Sequence, residues 1–157
     1  MTDPETLLDI CRTKGLMLGT AESCTGGMVA AAVTDIPGAS DVFERGIVTY
    51  SNEAKTALLG VRAATFASHG AVSEEVACEM AEGLRKHAPV DIAIAISGIA
   101  GPGGSENKPE GRVCFAVATE AVTQSETVEF GAIGRAEVRA AATARAIDLL
   151  ASAARKL

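Results

Sequence analysis

Near the N-terminus Leu7, Leu8, Ile10 and Cys11 recur at helical spacing behind Asp3-Pro4, a pair suited to opening a helix, and predict one over 4–14. A short apolar run predicts a strand over 17–22. Met28, Val29, Ala32 and Val33 then mark an amphipathic helix over 24–34, stopped by Ile36-Pro37-Gly38. β-Branched and aromatic residues predict a second strand over 43–50, and a short helix over 52–59 ends at Gly60. Ser73 is a good N-cap for a longer helix, with Glu74 and Glu75 in its first turn and Lys86 and His87 in its last. Val76, Ala77, Met80, Ala81 and Leu84 form its buried stripe, and Pro89 lies beyond its end. The run Asp-Ile-Ala-Ile-Ala-Ile-Ser over 91–97 is the clearest strand, apolar enough to be central in a sheet. A loop dense in Gly and Pro follows over 98–111. Strands over 112–119 and 123–130 are close enough to pair as a hairpin, and an Ala-rich helix over 134–157 closes the chain. Helices alternating with strands, followed by a hairpin, predict an α/β fold of three layers, α/β/α, with a mixed, mostly parallel sheet in one domain over 1–157.

Composition narrows what such a domain does. A chain of 157 residues builds a core without disulfide or metal staples. With 48% hydrophobic and 22% charged residues, it is not a disordered tail. The longest uncharged stretch, over 92–105, is broken by Gly and Pro and falls short of the ~20 residues a membrane span needs. The acidic N-terminus lacks the basic start of a signal peptide, so the expected location is cytoplasmic. A net charge of −6 argues against nucleic-acid binding, which needs a basic face. Aromatic residues, at 3% with no Trp, leave few platforms for stacking bases. Cys11, Cys24, Cys78 and Cys114 show no metal-ligand spacing, and His69 and His87 fall in no motif; reduced thiols and no metal site are expected.

Three segments carry candidate chemistry. Ala21-Glu22-Ser23-Cys24-Thr25-Gly26-Gly27 lies where a strand feeds a helix. Ser23 there is either an N-cap beside packing glycines, or the neighbour of free first-turn amides that suit an oxyanion or a phosphate. Thr49-Tyr50-Ser51-Asn52-Glu53-Ala54-Lys55 brings Tyr50 and Lys55 to one corner. Lys55 is either a solvated lysine on an exposed turn or, in a dry and well-packed pocket, a general base. The glycines of 98–104 follow the central strand, where open α/β sheets bind ligands, and this loop is neither a P-loop nor a dinucleotide fingerprint. Arg135 and Arg139 share a face near the start of the last helix. Cations there oppose the helix dipole, which suits phosphate binding if they are not simply solubilising.

Taken together, AESCTGG (21–27), TYSNEAK (49–55), AVSEEVA (71–77) and SGIAGPGGSENKPEGRV (97–113) resemble the CinA C-terminal-domain family in order and spacing, and GRAEVRAAA (134–142) fits its closing segment. The resemblance covers almost the whole chain and matches the stand-alone form, without the fused N-terminal domain of full-length members. It implies a nicotinamide-nucleotide amidohydrolase that converts nicotinamide mononucleotide to nicotinate mononucleotide and ammonia, with no metal or organic cofactor. It assigns the nucleophile to Ser23 and the general base to Lys55, with Tyr50 as a supporting catalytic position. Ser40, Ser97, Thr25, Gly26, Gly101 and Arg139 are the expected substrate contacts, and Arg135 competes with Arg139 for the arginine position. A small-molecule substrate, no nucleic acid, no membrane and a homo-oligomer are expected. Two other readings stay open: an amidase for another small amide, and a non-catalytic nucleotide- or partner-binding module linked to competence.

Overall fold

Ile92, Ile94 and Ile96 alternate with Ala93 and Ala95 along one strand, and all five are buried, so helices must cover both faces of the sheet at this point. The structure, a computed structural model, describes residues 1–157 and has that arrangement. Five strands, β1 (Leu18–Glu22), β2 (Phe43–Val48), β3 (Ile92–Gly98), β4 (Arg112–Ala118) and β5 (Thr123–Glu129), form one sheet in the order β2-β1-β3-β4-β5. β1 pairs in parallel with β2 and β3, while β4 is antiparallel to both β3 and β5, so only β4 runs against the others.

The two faces differ in side-chain size. The isoleucines of β3 join Leu18, Val113 and Phe115 against α1 (Pro4–Lys14), α2 (Met28–Thr34) and α6 (Arg135–Lys156). The alanines join Ala21, Ala116 and Ala118 in a low floor against α5 (Glu74–His87), which packs beside α3 (Asn52–Leu59) and α4 (Ala63–His69). Small residues let α5 sit close: a Cβ on Gly19 of β1 would lie 3.0 Å from Leu84 of α5. Gly83 of α5 goes further, since a Cβ there would lie 1.8 Å from the Leu59 carbonyl oxygen at the end of α3. No helix is long and apolar enough to cross a membrane.

The predicted elements fall within a few residues of the observed ones, with three differences. The helix expected from 24 begins only at Met28, because Gly26 and Gly27 have φ of +58° and +108°, which a right-handed helix cannot include. The strand expected to run to 50 ends at Val48. The third difference is α4, together with a 3-10 turn over Ala39–Asp41, neither of which the pattern foretold.

Candidate active site

β1, β2 and β3 are parallel and end on the same side of the sheet. Three connecting segments therefore meet: Ser23 and Cys24 after β1, Thr49 and Tyr50 after β2, and the glycine loop after β3. Between them lies a cleft of ≈ 320 Å³ lined by Ser23, Lys55, Ser97, Gly101 and Arg135 among others. A larger hollow of ≈ 460 Å³ lies between β5 and α6, away from these strand ends, and its Arg145 is already held by Glu126 at 2.7 Å.

Ser23 is not a helix cap. The N-cap of α2 is Gly27, and the Ser23 hydroxyl instead lies 3.0 Å from Lys55 Nζ. Lys55 sits one turn into α3, whose start is fixed by the Ser51 hydroxyl accepting from the Ala54 amide and whose end is fixed by Gly60 in the left-handed conformation. It shares the buried face of α3 with Leu59 and is itself 2% exposed, so it is no surface lysine. Its second partner is the Thr49 carbonyl at 3.0 Å, and no carboxylate pairs with it. Burial therefore holds the ammonium below the ordinary lysine pKa, against opposing attraction from Cys24 and Glu106.

Hydrogen bonds orient the backbone around Ser23. Its amide donates to the Ile96 carbonyl at 2.9 Å, and its carbonyl accepts from the Gly26 amide at 3.0 Å. The Thr25 amide has no acceptor within the chain, and the Cys24 amide has none beyond its own thiol. Cys24 lines the cleft, and burial pushes its thiol up to about 11, which leaves it a protonated neighbour of Ser23 and a poor nucleophile at neutral pH.

The glycine loop is ordered by its own tethers. Ser105 and Lys108 close a tight turn with Glu106 and Asn107 at positive φ. Lys108 donates to the His69 and Val72 carbonyls, and the Glu106 carboxylate accepts from the Ala71 amide, fastening the loop to the segment before α5. Ser97 faces the cleft and donates to the Ala71 carbonyl at 2.7 Å.

Of the expected contacts, Ser23, Lys55, Tyr50, Ser97 and Gly101 line this cleft. Tyr50 lies on its rim, 60% exposed, with its hydroxyl accepting from Arg135 at 2.8 Å rather than touching Ser23 or Lys55. Four expected contacts do not line it. Ser40 is exposed and precedes β2, so the strand's length, about 20 Å at roughly 3.3 Å per residue, separates it from the cleft. Thr25 is fully buried, with its hydroxyl spent on Glu22 at 2.6 Å. The Gly26 amide is spent on Ser23. Arg139 donates to the Cys24 and Thr25 carbonyls at 3.0 and 3.2 Å, so it braces the Ser23 turn, and Arg135 is the arginine in the cleft wall.

Of the amides expected to be free beside Ser23, those of Cys24 and Thr25 donate to no other residue, whereas α2 itself, which starts at Met28, has two of its first-turn amides occupied. The Val29 and Ala30 amides are taken by the Glu22 carboxylate at 3.0 and 3.1 Å. Glu22 is not among the residues expected to act; its one signal in the sequence is a carboxylate ending an apolar strand immediately before the candidate serine. No three His, Cys, Asp or Glu side chains converge to hold a metal ion.

Comparison with known proteins identifies the relatives of the chain. The family model described as the CinA C-terminal domain matches residues 2–154. The chain is 54% identical over 143 residues to the nicotinamide-nucleotide amidohydrolase PncC of Escherichia coli K12, covering 88% of this chain and 85% of that protein. Among solved structures, the competence/damage inducible protein CihA of Agrobacterium tumefaciens superposes with a TM-score of 0.89 at 42% identity, over 97% of this chain and 96% of that one. The competence damage-inducible protein A of Klebsiella pneumoniae superposes at 0.92 with 40% identity, over 95% and 92%.

Proposed function

The chain belongs to the CinA C-terminal domain family, and on that premise we propose that it hydrolyses the carboxamide of nicotinamide mononucleotide, with Ser23 as nucleophile and Lys55 as general base. The products are nicotinate mononucleotide and ammonia. The observation that carries this reading is the 3.0 Å hydrogen bond between Ser23 Oγ and a buried lysine that no carboxylate neutralises. A serine hydroxyl is a weak nucleophile, and a neutral amine beside it is a sufficient base.

Neutral Lys55 takes the hydroxyl proton as Ser23 Oγ attacks the carboxamide carbon. The negative charge that develops on the carboxamide oxygen is met by the amide of Cys24, the residue after the nucleophile, which donates to no other residue. The C–N bond breaks, and Lys55 returns the proton to nitrogen, which leaves as ammonia. Water then gives a proton to Lys55 and attacks the Ser23 ester. Collapse passes the proton from Lys55 back to Ser23 Oγ and releases nicotinate mononucleotide, whose carboxylic acid proton goes to the departed ammonia, so that the hydroxyl and the neutral amine are restored. The chain's own groups and one water balance the reaction.

The substrate's phosphate is assigned to Arg135, whose guanidinium is held at the rim by the Gly101 carbonyl and Tyr50 hydroxyl. Ser97 and the glycine loop form the remaining wall. The same reading takes residues 1–157 as one domain that works as a cytoplasmic homo-oligomer.

Purified protein is expected to release ammonia and nicotinate mononucleotide from nicotinamide mononucleotide in equal amounts. A folded protein that binds the nucleotide without turnover would be a binding module. Turnover of a different small amide alone would overturn the substrate assignment but keep the dyad.

A further inference from the structure

Ser23 opens a turn that runs to Gly27, and one buried carboxylate behind that turn holds it. Glu22 ends β1 with 1% exposure, and its partners are three hydrogen-bond donors rather than a cation: the Thr25 hydroxyl and the Val29 and Ala30 amides. Gly27, the N-cap of α2, has no side chain for those first-turn amides, so Glu22 caps the helix from the end of the strand. Because Oε1 also takes the Thr25 hydroxyl, the carboxylate fastens both the middle of the turn and the helix beyond it to β1.

This fastening bears on the reacting groups through peptide geometry. In a trans peptide the carbonyl and amide point in opposite directions, so holding one aims the other. The Ser23 carbonyl is held by the Gly26 amide, which aims the Cys24 N–H, and the Cys24 carbonyl is held by Arg139, which aims the Thr25 N–H. Both constraints require the turn to keep its shape, and Thr25, tied to Glu22, stands at its centre. We infer that Glu22 is a positioning residue for the hydrolysis: through Thr25 and the start of α2, its carboxylate fixes the turn that aims Ser23 Oγ and the Cys24 amide. This rests on the reading of Ser23 as the nucleophile. A carboxylate serving only as a helix cap would support the fold and leave the chemical step alone.

The test compares Glu22→Gln, Thr25→Val and Thr25→Ser with wild type, reading kcat and KM for nicotinamide mononucleotide and the rate at which a small fluorophosphonate labels Ser23. Gln keeps the shape of Glu but places a donor against the amides it must accept from, Val removes the Thr25 hydroxyl, and Ser retains it. Misaimed groups cost transition-state stabilisation rather than substrate binding. Glu22→Gln and Thr25→Val are therefore expected to lower kcat and the labelling rate about 10–100-fold with KM within about threefold, while Thr25→Ser stays close to wild type. A kcat within about twofold of wild type in both impaired variants, with only the melting temperature lowered, would overturn the inference. If Glu22→Gln does not fold, equal kcat in Thr25→Val and Thr25→Ser would overturn it. If wild type does not turn over the nucleotide, the substrate assignment fails, and the labelling rates still decide: equal rates, or no labelling of Ser23, count against the role of Glu22.

Discussion

Lys55 and Leu59 stand one turn apart on α3, and both are buried, at 2% and 1% exposure. The fold packs the lysine as it packs the leucine, and this sets its chemistry.

Burial lowers the Lys55 pKa in the folded protein, whereas the unfolded chain keeps the ordinary value of 10.5. Between the two values the unfolded state binds more protons, so this group's contribution to stability rises with pH across that window. Below the folded value the cost of burying the charge is present in full. Lys55→Met removes the titration, and at neutral pH it is expected to be more stable by about 1 kcal/mol, or about 2–4 °C in Tm. Thermal melts should show that advantage shrinking as pH rises toward about 10. A constant or growing advantage would contradict the assignment.

The acid limb of the kcat profile should report the same group. Its midpoint is expected below the ordinary lysine value, since the neutral amine is the active form. Lys55→Arg keeps a positive charge that cannot be removed, and should lower kcat by roughly 10²–10⁴. Steady-state rates against pH, with this variant alongside, check both points.

The fold was legible where burial imposes a period: the Ile/Ala alternation of β3 and the stripe on α5 led directly to a central strand and a covering helix. The contact between Ser23 and Lys55 was legible only through motifs, because no periodicity distinguishes a buried Lys55 from a solvated one. Ser40 lies close to Tyr50 in sequence, yet β2 carries the two to opposite ends of the sheet, and only the topology reveals that. Thr25, Glu22 and Arg139 do not disclose their contacts in the sequence, for one reason. Their roles are hydrogen bonds behind the turn, made possible by the positive φ of Gly26 and Gly27, where the pattern suggested helix.

Arg135 and Arg139 should separate in kinetics. Arg135→Ala loses the cation assigned to the phosphate and is expected to raise KM for the mononucleotide about 10–100-fold, with little effect on nicotinamide riboside, which has no phosphate. Arg139→Ala releases the Cys24 and Thr25 carbonyls and should lower kcat for both substrates. Equal KM effects of Arg135→Ala on the two substrates would remove it from the phosphate site.

Gly83→Ala tests the seam that holds α3, and with it Lys55, against α5. A Cβ there would lie 1.8 Å from the Leu59 carbonyl oxygen, a backbone contact that no rotamer relieves. A loss of about 3 kcal/mol is expected, seen as a fall of about 6–12 °C in Tm. An unchanged melting temperature would mean the two helices are not packed this closely.

The most direct test of the account is the turnover number of Ser23→Ala on nicotinamide mononucleotide, measured as ammonia release on protein shown to be folded and to bind the nucleotide. If Ser23 Oγ is the nucleophile activated by Lys55, kcat should fall by at least about 10³ while the nucleotide still binds. Turnover within about tenfold of wild type would show that water attacks the carboxamide directly, and would contradict the account.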